Sequence, residues 1–78
     1  MKRIYYAIDF YATETLQNGR ERETTQTVYF PKYDKTGYHF SNWTPMLAME
    51  AAEKELKEQR YYKLMYKGCR EVKMSVME

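Results

Sequence analysis

From Ile4 to Ala12 the chain alternates without a break. Ile4, Tyr6, Ile8, Phe10 and Ala12 fall on one side of an extended backbone, and Tyr5, Ala7, Asp9 and Tyr11 fall on the other. Side chains two apart share a face of a strand, so this pattern of aromatic and β-branched residues predicts a half-buried strand running from Ile4 to Leu16. Asp9 decides which face is the core. A carboxylate without a partner is costly to bury, so the Ile4 face turns inward.

The next segment constrains the pairing. Asn18-Gly19 is a hairpin signal, because both residues tolerate positive φ. A second strand is predicted over Thr24–Phe30, with Thr24, Gln26, Val28 and Phe30 on one face. In an antiparallel pair, directly opposed residues share a face, and a slip of one residue reverses every side chain. A two-residue Asn-Gly turn would set Phe10 against Thr27 and turn Val28 the wrong way. The parity therefore predicts a bulged or longer, odd-length loop across Asn18–Glu23, matching Phe10 to Val28 and Ile8 to Phe30. Pro31 ends this strand or marks a sheet edge. Lys32–Thr44 reads as a connection with Gly37 as its turn residue, and Gly37-Tyr38-His39-Phe40 as a short third strand.

Thr44-Pro45 opens a helix: threonine caps free N–H groups and proline suits the first helical position. Ala48, Met49, Ala52 and Leu56 form one apolar stripe at helical spacing, and the helix is expected to end near Arg60. Glu50–Lys54 and Glu53–Lys57 stand four residues apart in the favourable order. Glu71–Val76 is the last strand, with Val72, Met74 and Val76 on one face. The predicted fold class is α+β: a small antiparallel sheet in the order β-β-(short β)-α-β, with one helix packed on one face. A single small domain spans residues 1–78.

A chain of 78 residues has a small core, and its lone cysteine makes an internal disulfide impossible. A homodimer is one way such a chain gains stability. The charge is dense but balanced, 13 Lys and Arg against 11 Asp and Glu, unlike the strongly basic profile of a typical nucleic-acid binder. Met1-Lys2-Arg3-Ile4 mimics the start of a signal peptide, but the apolar run stops at Asp9, and no transmembrane span is present. A free thiol fits a reducing compartment, so a cytoplasmic protein without membrane association is expected.

The material for catalysis is sparse, and no enzyme, cofactor or metal is expected. His39 is the only imidazole, and it reads as a loop or edge-strand residue. Cys69 lies between Lys67 and Arg70, which would lower its pKa, but no local pattern pairs it with a base. Glu50, Glu53, Glu55 and Glu58, interleaved with Lys54 and Lys57, read as a solvated helix face. The scattered glycines form no phosphate loop.

Binding material is plentiful by contrast, with nine tyrosines in the chain. Two candidate surfaces stand out. One is the segment Arg60–Arg70 with Lys73 beside it, contributing Arg60, Tyr61, Tyr62, Lys63, Tyr66, Lys67, Arg70 and Lys73. Rings among cations stack on bases, and the same residue types make protein hot spots. The other is the face of the sheet that the helix leaves open. If the helix covers Ile4, Ile8, Phe10, Val28 and Val72, then Tyr5, Tyr11, Thr27, Tyr29 and Lys73 lie on that open side. In size and in its hairpin-helix-strand order, the whole chain resembles many small proteins of phages and mobile elements. Some of those inhibit host defence complexes, including anti-CRISPR proteins. The likeness carries no diagnostic motif and transfers no functional residue. The expected function is a non-catalytic binding module acting on a protein partner, an inhibitor of that kind being its most concrete form. The alternative is a small nucleic-acid-binding domain using the basic, aromatic segment 60–73.

Overall fold

The computed structural model describes residues 2–33 and 43–75, which form a three-stranded antiparallel sheet and one helix, a small α+β arrangement. The elements are β1 (Lys2–Thr15), β2 (Glu21–Tyr33), α1 (Pro45–Glu58) and β3 (Tyr62–Ser75). β1 is the central strand, in the sheet order β2-β1-β3. The short strand expected at Gly37–Phe40, and His39 with it, lie outside the described residues, as does Val76.

The first hairpin closes on an odd-length loop. Leu16 N–H reaches the Arg20 carbonyl at 2.7 Å, and Gly19 N–H reaches the Leu16 carbonyl at 2.9 Å. Gln17, Asn18 and Gly19 make the turn between them, and Gly19 takes the left-handed conformation at φ 82. The Asn18 side chain accepts the Arg20 N–H at 2.9 Å and holds the loop shape. Val28 therefore shares a face with Ile8, as the parity requires. The register is two residues from the one expected, because the turn sits earlier than Asn18–Glu23: Ile8 opposes Val28, and Phe10 opposes Gln26. Pro31 does not end its strand, which continues to Tyr33 along the sheet edge.

The helix begins as its sequence dictates. Thr44 Oγ1 accepts the Leu47 N–H at 3.3 Å, and Pro45 takes the first helical position. It ends in a Schellman arrangement: Tyr61 N–H bonds the Leu56 carbonyl at 2.9 Å and Arg60 N–H bonds that of Lys57 at 3.0 Å. Arg60 supplies the left-handed residue, at φ 72, where glycine is the usual choice. Ala48, Ala52 and Leu56 are buried against Tyr6, Ile8, Phe10 and Phe30. The two alanines let the helix lie close to the sheet, and Trp43 packs on Phe30 with ring centroids 4.5 Å apart. Ile8 and Leu56 are the largest fully buried side chains among the described residues, each contributing about 1.5–3 kcal/mol. The helix leans on β1 and β3.

β3 departs most from expectation. It starts at Tyr62, not Glu71, and its pairing with β1 slips once between Asp9 and Phe10 and again between Tyr11 and Thr13. Each slip inserts an extra residue into β3, a bulge. Lys63 sits at the second with φ 51. Val72 opposes Tyr5 and Met74 opposes Arg3, so both lie on the face away from the helix. Lys73 opposes Ile4 on the helix side, where it was expected on the open side. Polar side chains fit there because this end of the sheet lies past the apolar stripe: Glu71, opposite Tyr6, is ion-paired with Lys32.

Candidate functional site

The face of the sheet turned away from α1 can be read row by row from the register. Tyr5 lies between Pro31 and Val72, Ala7 between Tyr29 and Arg70, and Asp9 between Thr27 and Gly68. Beyond them Tyr11 lies between Thr25 and Met65, and Thr13 between Glu23 and Tyr62. Small residues run down the middle with rings at both ends. Ala7 is fully covered by its flanking neighbours, whereas Tyr11 and Tyr29 are each 47% exposed and Met65 is 64% exposed. A shallow depression forms around Thr13, walled by Tyr11, Glu23, Thr25, Lys63 and Met65.

Two cations on this face, Arg70 and Lys63, are held by carboxylates. Thr27 Oγ1 donates to Asp9 at 2.5 Å, and Arg70 Nε donates to the other carboxylate oxygen at 3.1 Å. These bonds cross all three strands and pin the centre of the face. Lys63 reaches from β3 over β1 to Glu21 of β2 at 3.6 Å. Lys67, on the first bulge, places its ammonium 5.4 Å from the Tyr11 ring centroid. Tyr62 bonds Thr15 at 3.1 Å. At the far end Arg3 opposes Met74, and its Nε is buried with no hydrogen-bond partner among the described residues. Arg3, Lys63, Lys67 and Arg70 thus stand against Asp9, Glu21 and Glu23.

Burial acts to raise the Asp9 pKa, but the hydrogen bonds from Thr27 and Arg70 and the charges of Arg70 and Lys67 outweigh it. The net effect is a carboxyl held below the ordinary value of 3.8. A folded-state pKa below the unfolded one gives stability that is present above the unfolded value and lost as pH falls through the folded value. Asp9→Asn should therefore show a smaller loss of melting temperature on acidification than the parent chain. Thermal melts followed by circular dichroism across the acid range measure this, and identical pH profiles would remove Asp9 from the account.

The two surfaces expected from the sequence merge in part. Tyr5, Tyr11, Tyr29, Tyr62, Lys63, Lys67 and Arg70 come together on the open face. Arg60, Tyr61, Tyr66 and Lys73 do not. Arg60 forms the helix stop, and Tyr61 packs on the core. Tyr66 lies edge-on to Phe10 at 5.7 Å on the helix side, and Lys73 opposes Ile4. The sequence reading missed Arg3, Met65, Val72 and Met74 on the open face. Only the strand pairing reveals them, since their faces follow from the bulges.

Cys69 opposes Ile8 on the helix side, partly buried, and burial, with the charges of Glu71 and Asp9, pushes its pKa up. The sequence expectation that Lys67 and Arg70 lower it is overturned, because those cations face the other side of the sheet. Of the helix carboxylates, Glu53 pairs with Lys57 at 3.1 Å. Among the described residues no group of three or more His, Cys, Asp or Glu side chains is placed to hold a metal ion. No helix among them is long and apolar enough to cross a membrane. Comparison with protein-family models, with curated proteins and with solved structures finds no match to this chain.

Proposed function

We propose that this chain is a non-catalytic binding module that docks a protein partner through the open face of its sheet. The observation that carries this reading is the pairing of charge among the aromatic rings. Arg70 and Lys63 are each tied to a carboxylate on the same face, Asp9 and Glu21. Phosphate binding needs cations that are not already neutralised, because affinity comes largely from replacing counterions. A mixed-charge surface with exposed Tyr11, Tyr29 and Met65 has instead the residue types of a protein interface, where aromatics, Met and Arg are enriched. The more concrete form, an inhibitor encoded by a mobile element against a host defence complex, draws on likeness in size and element order alone.

The test is a titration of labelled single-stranded and duplex oligonucleotides at two salt concentrations. The expected result is no binding beyond the weak non-specific range. Micromolar or tighter binding that falls steeply with salt would replace this reading with a nucleic-acid one. In that case Lys63→Ala and Lys67→Ala would each flatten the salt slope by about one unit.

A further inference from the structure

We propose that the outer edge of β2 pairs with the same edge of a second copy of this chain, antiparallel and centred on Thr25, to make one continuous sheet. Leu16 N–H bonded to the Arg20 carbonyl marks a hydrogen-bonded pair, and in an antiparallel ladder such pairs alternate. The register then directs the backbone groups of the even residues Arg22 to Phe30 toward β1. Glu21, Glu23, Thr25, Thr27 and Tyr29 point theirs outward. Pro31, which has no N–H to give, falls on the outward set, so its presence in the strand costs the ladder nothing.

Among the described residues, the central stretch of this edge, Thr24–Phe30, carries no bulge, proline or charge. β2 pairs with β1 without a slip from Glu21 to Pro31, whereas β3, at the opposite edge, is broken by two bulges between Tyr62 and Gly68. Native sheets blunt an exposed edge with bulges or charge, and β3 does so where the central stretch of β2 does not. The strand is also self-complementary. Its charges lie at its two ends, Glu21, Arg22 and Glu23 by the hairpin and Lys32 near the other, Thr24–Thr27 are uncharged, and Val28, Tyr29 and Phe30 are apolar or aromatic. Centred on Thr25, every outward group meets an outward group: Glu21 meets the second copy's Tyr29, Glu23 meets Thr27, and Thr25 meets itself. Arg22 then faces Val28. No like charges are directly opposed, as a two-fold interface requires. An extended peptide of other sequence would use the same backbone groups but would not explain this match.

The pairing stands apart from the open-face reading, and the oligonucleotide titration does not bear on it. It is tested by sedimentation over a concentration series, with amide hydrogen exchange on the full chain. Dimer is expected to appear as concentration rises. With it, the amides of Glu21, Glu23, Thr25, Thr27 and Tyr29 should gain protection while those of Arg22, Thr24 and Gln26 are protected throughout. Thr25→Pro removes one outward N–H and no bond to β1, so it should leave a folded monomer. Thr25→Lys, which keeps the N–H, places like charges together at the two-fold axis and should give the same result if the proline variant fails to fold. The proposal is overturned if the parent chain stays monomeric at the highest concentration, if the Thr25→Lys variant still dimerises as the parent does, or if the outward amides gain protection only when a different protein is added.

Discussion

Leu56→Asp should unfold this protein, or bring it to the edge of unfolding. Leu56 is 2% exposed and sits where α1 meets the sheet, in one cluster with Ile8, Phe10 and Ala52. An aspartate there loses the burial of leucine and places a carboxylate where no cation is in reach among the cluster residues. Together these effects cost about 4 kcal/mol or more. A domain of this length has roughly 4–12 kcal/mol in total. Ala48 and Ala52 hold the helix close to the strands, so little room exists for the charge to turn toward water. Leu56→Met, which conserves volume, should cost under about 1.5 kcal/mol. Denaturant and thermal unfolding of the two variants beside the parent chain make the measurement. Parent-like stability in Leu56→Asp would mean that the helix does not cover this face.

The features legible in advance are those written in short-range chemistry. Asp9 among apolar residues told which face of β1 is covered, and the structure shows why it is tolerated opposite: Thr27 and Arg70 both bond it. Thr44-Pro45 marked the helix start for a local steric reason. The parity of Val28 against Ile8 required an odd-length loop, although not its position, since Gln17-Asn18-Gly19 and several longer loops satisfy the same parity. β3 was illegible because alternation is a usable signal only while the register runs unbroken. Leu64 and Tyr66 follow one parity, Cys69, Glu71 and Lys73 follow the other beyond the extra residue at Lys67, and a second extra residue at Lys63 turns Tyr62 to the opposite face. Nothing in the residue identities announces a bulge, and Lys63 at φ 51 is no conventional marker of one. Taking Val72, Met74 and Val76 as the covered face, on apolarity alone, put Val72 under the helix and Lys73 in the open. Missing the bulges made a single binding segment out of residues 60–73, which the strand distributes to two sides of the sheet.

Tyr11→Ala and Tyr29→Ala should each weaken partner binding by about 2 kcal/mol or more, roughly a thirtyfold rise in Kd, while leaving the fold intact. The two rings are equally exposed and lie at opposite ends of the Asp9–Arg70–Thr27 pin, so they sample both aromatic zones of the face. Each is already held in place: Tyr11 lies beneath the Lys67 ammonium, and Tyr29 flanks Ala7 across from Arg70. Such preordering lowers the entropy lost on docking, which is why a central ring in this setting carries a large share of affinity. The stability cost should be small, because neither ring belongs to the buried cluster beneath the helix. The partner is first retrieved from the native host with nuclease present, and affinities of the variants are then measured by calorimetry. Lys54→Ala, on the exposed side of α1, serves as the control and should bind as the parent does. If both tyrosine variants bind like the parent while substitutions on the helix side abolish binding, the open face is not the docking surface, and the search moves to the exposed Met46 and Leu47 at the start of α1.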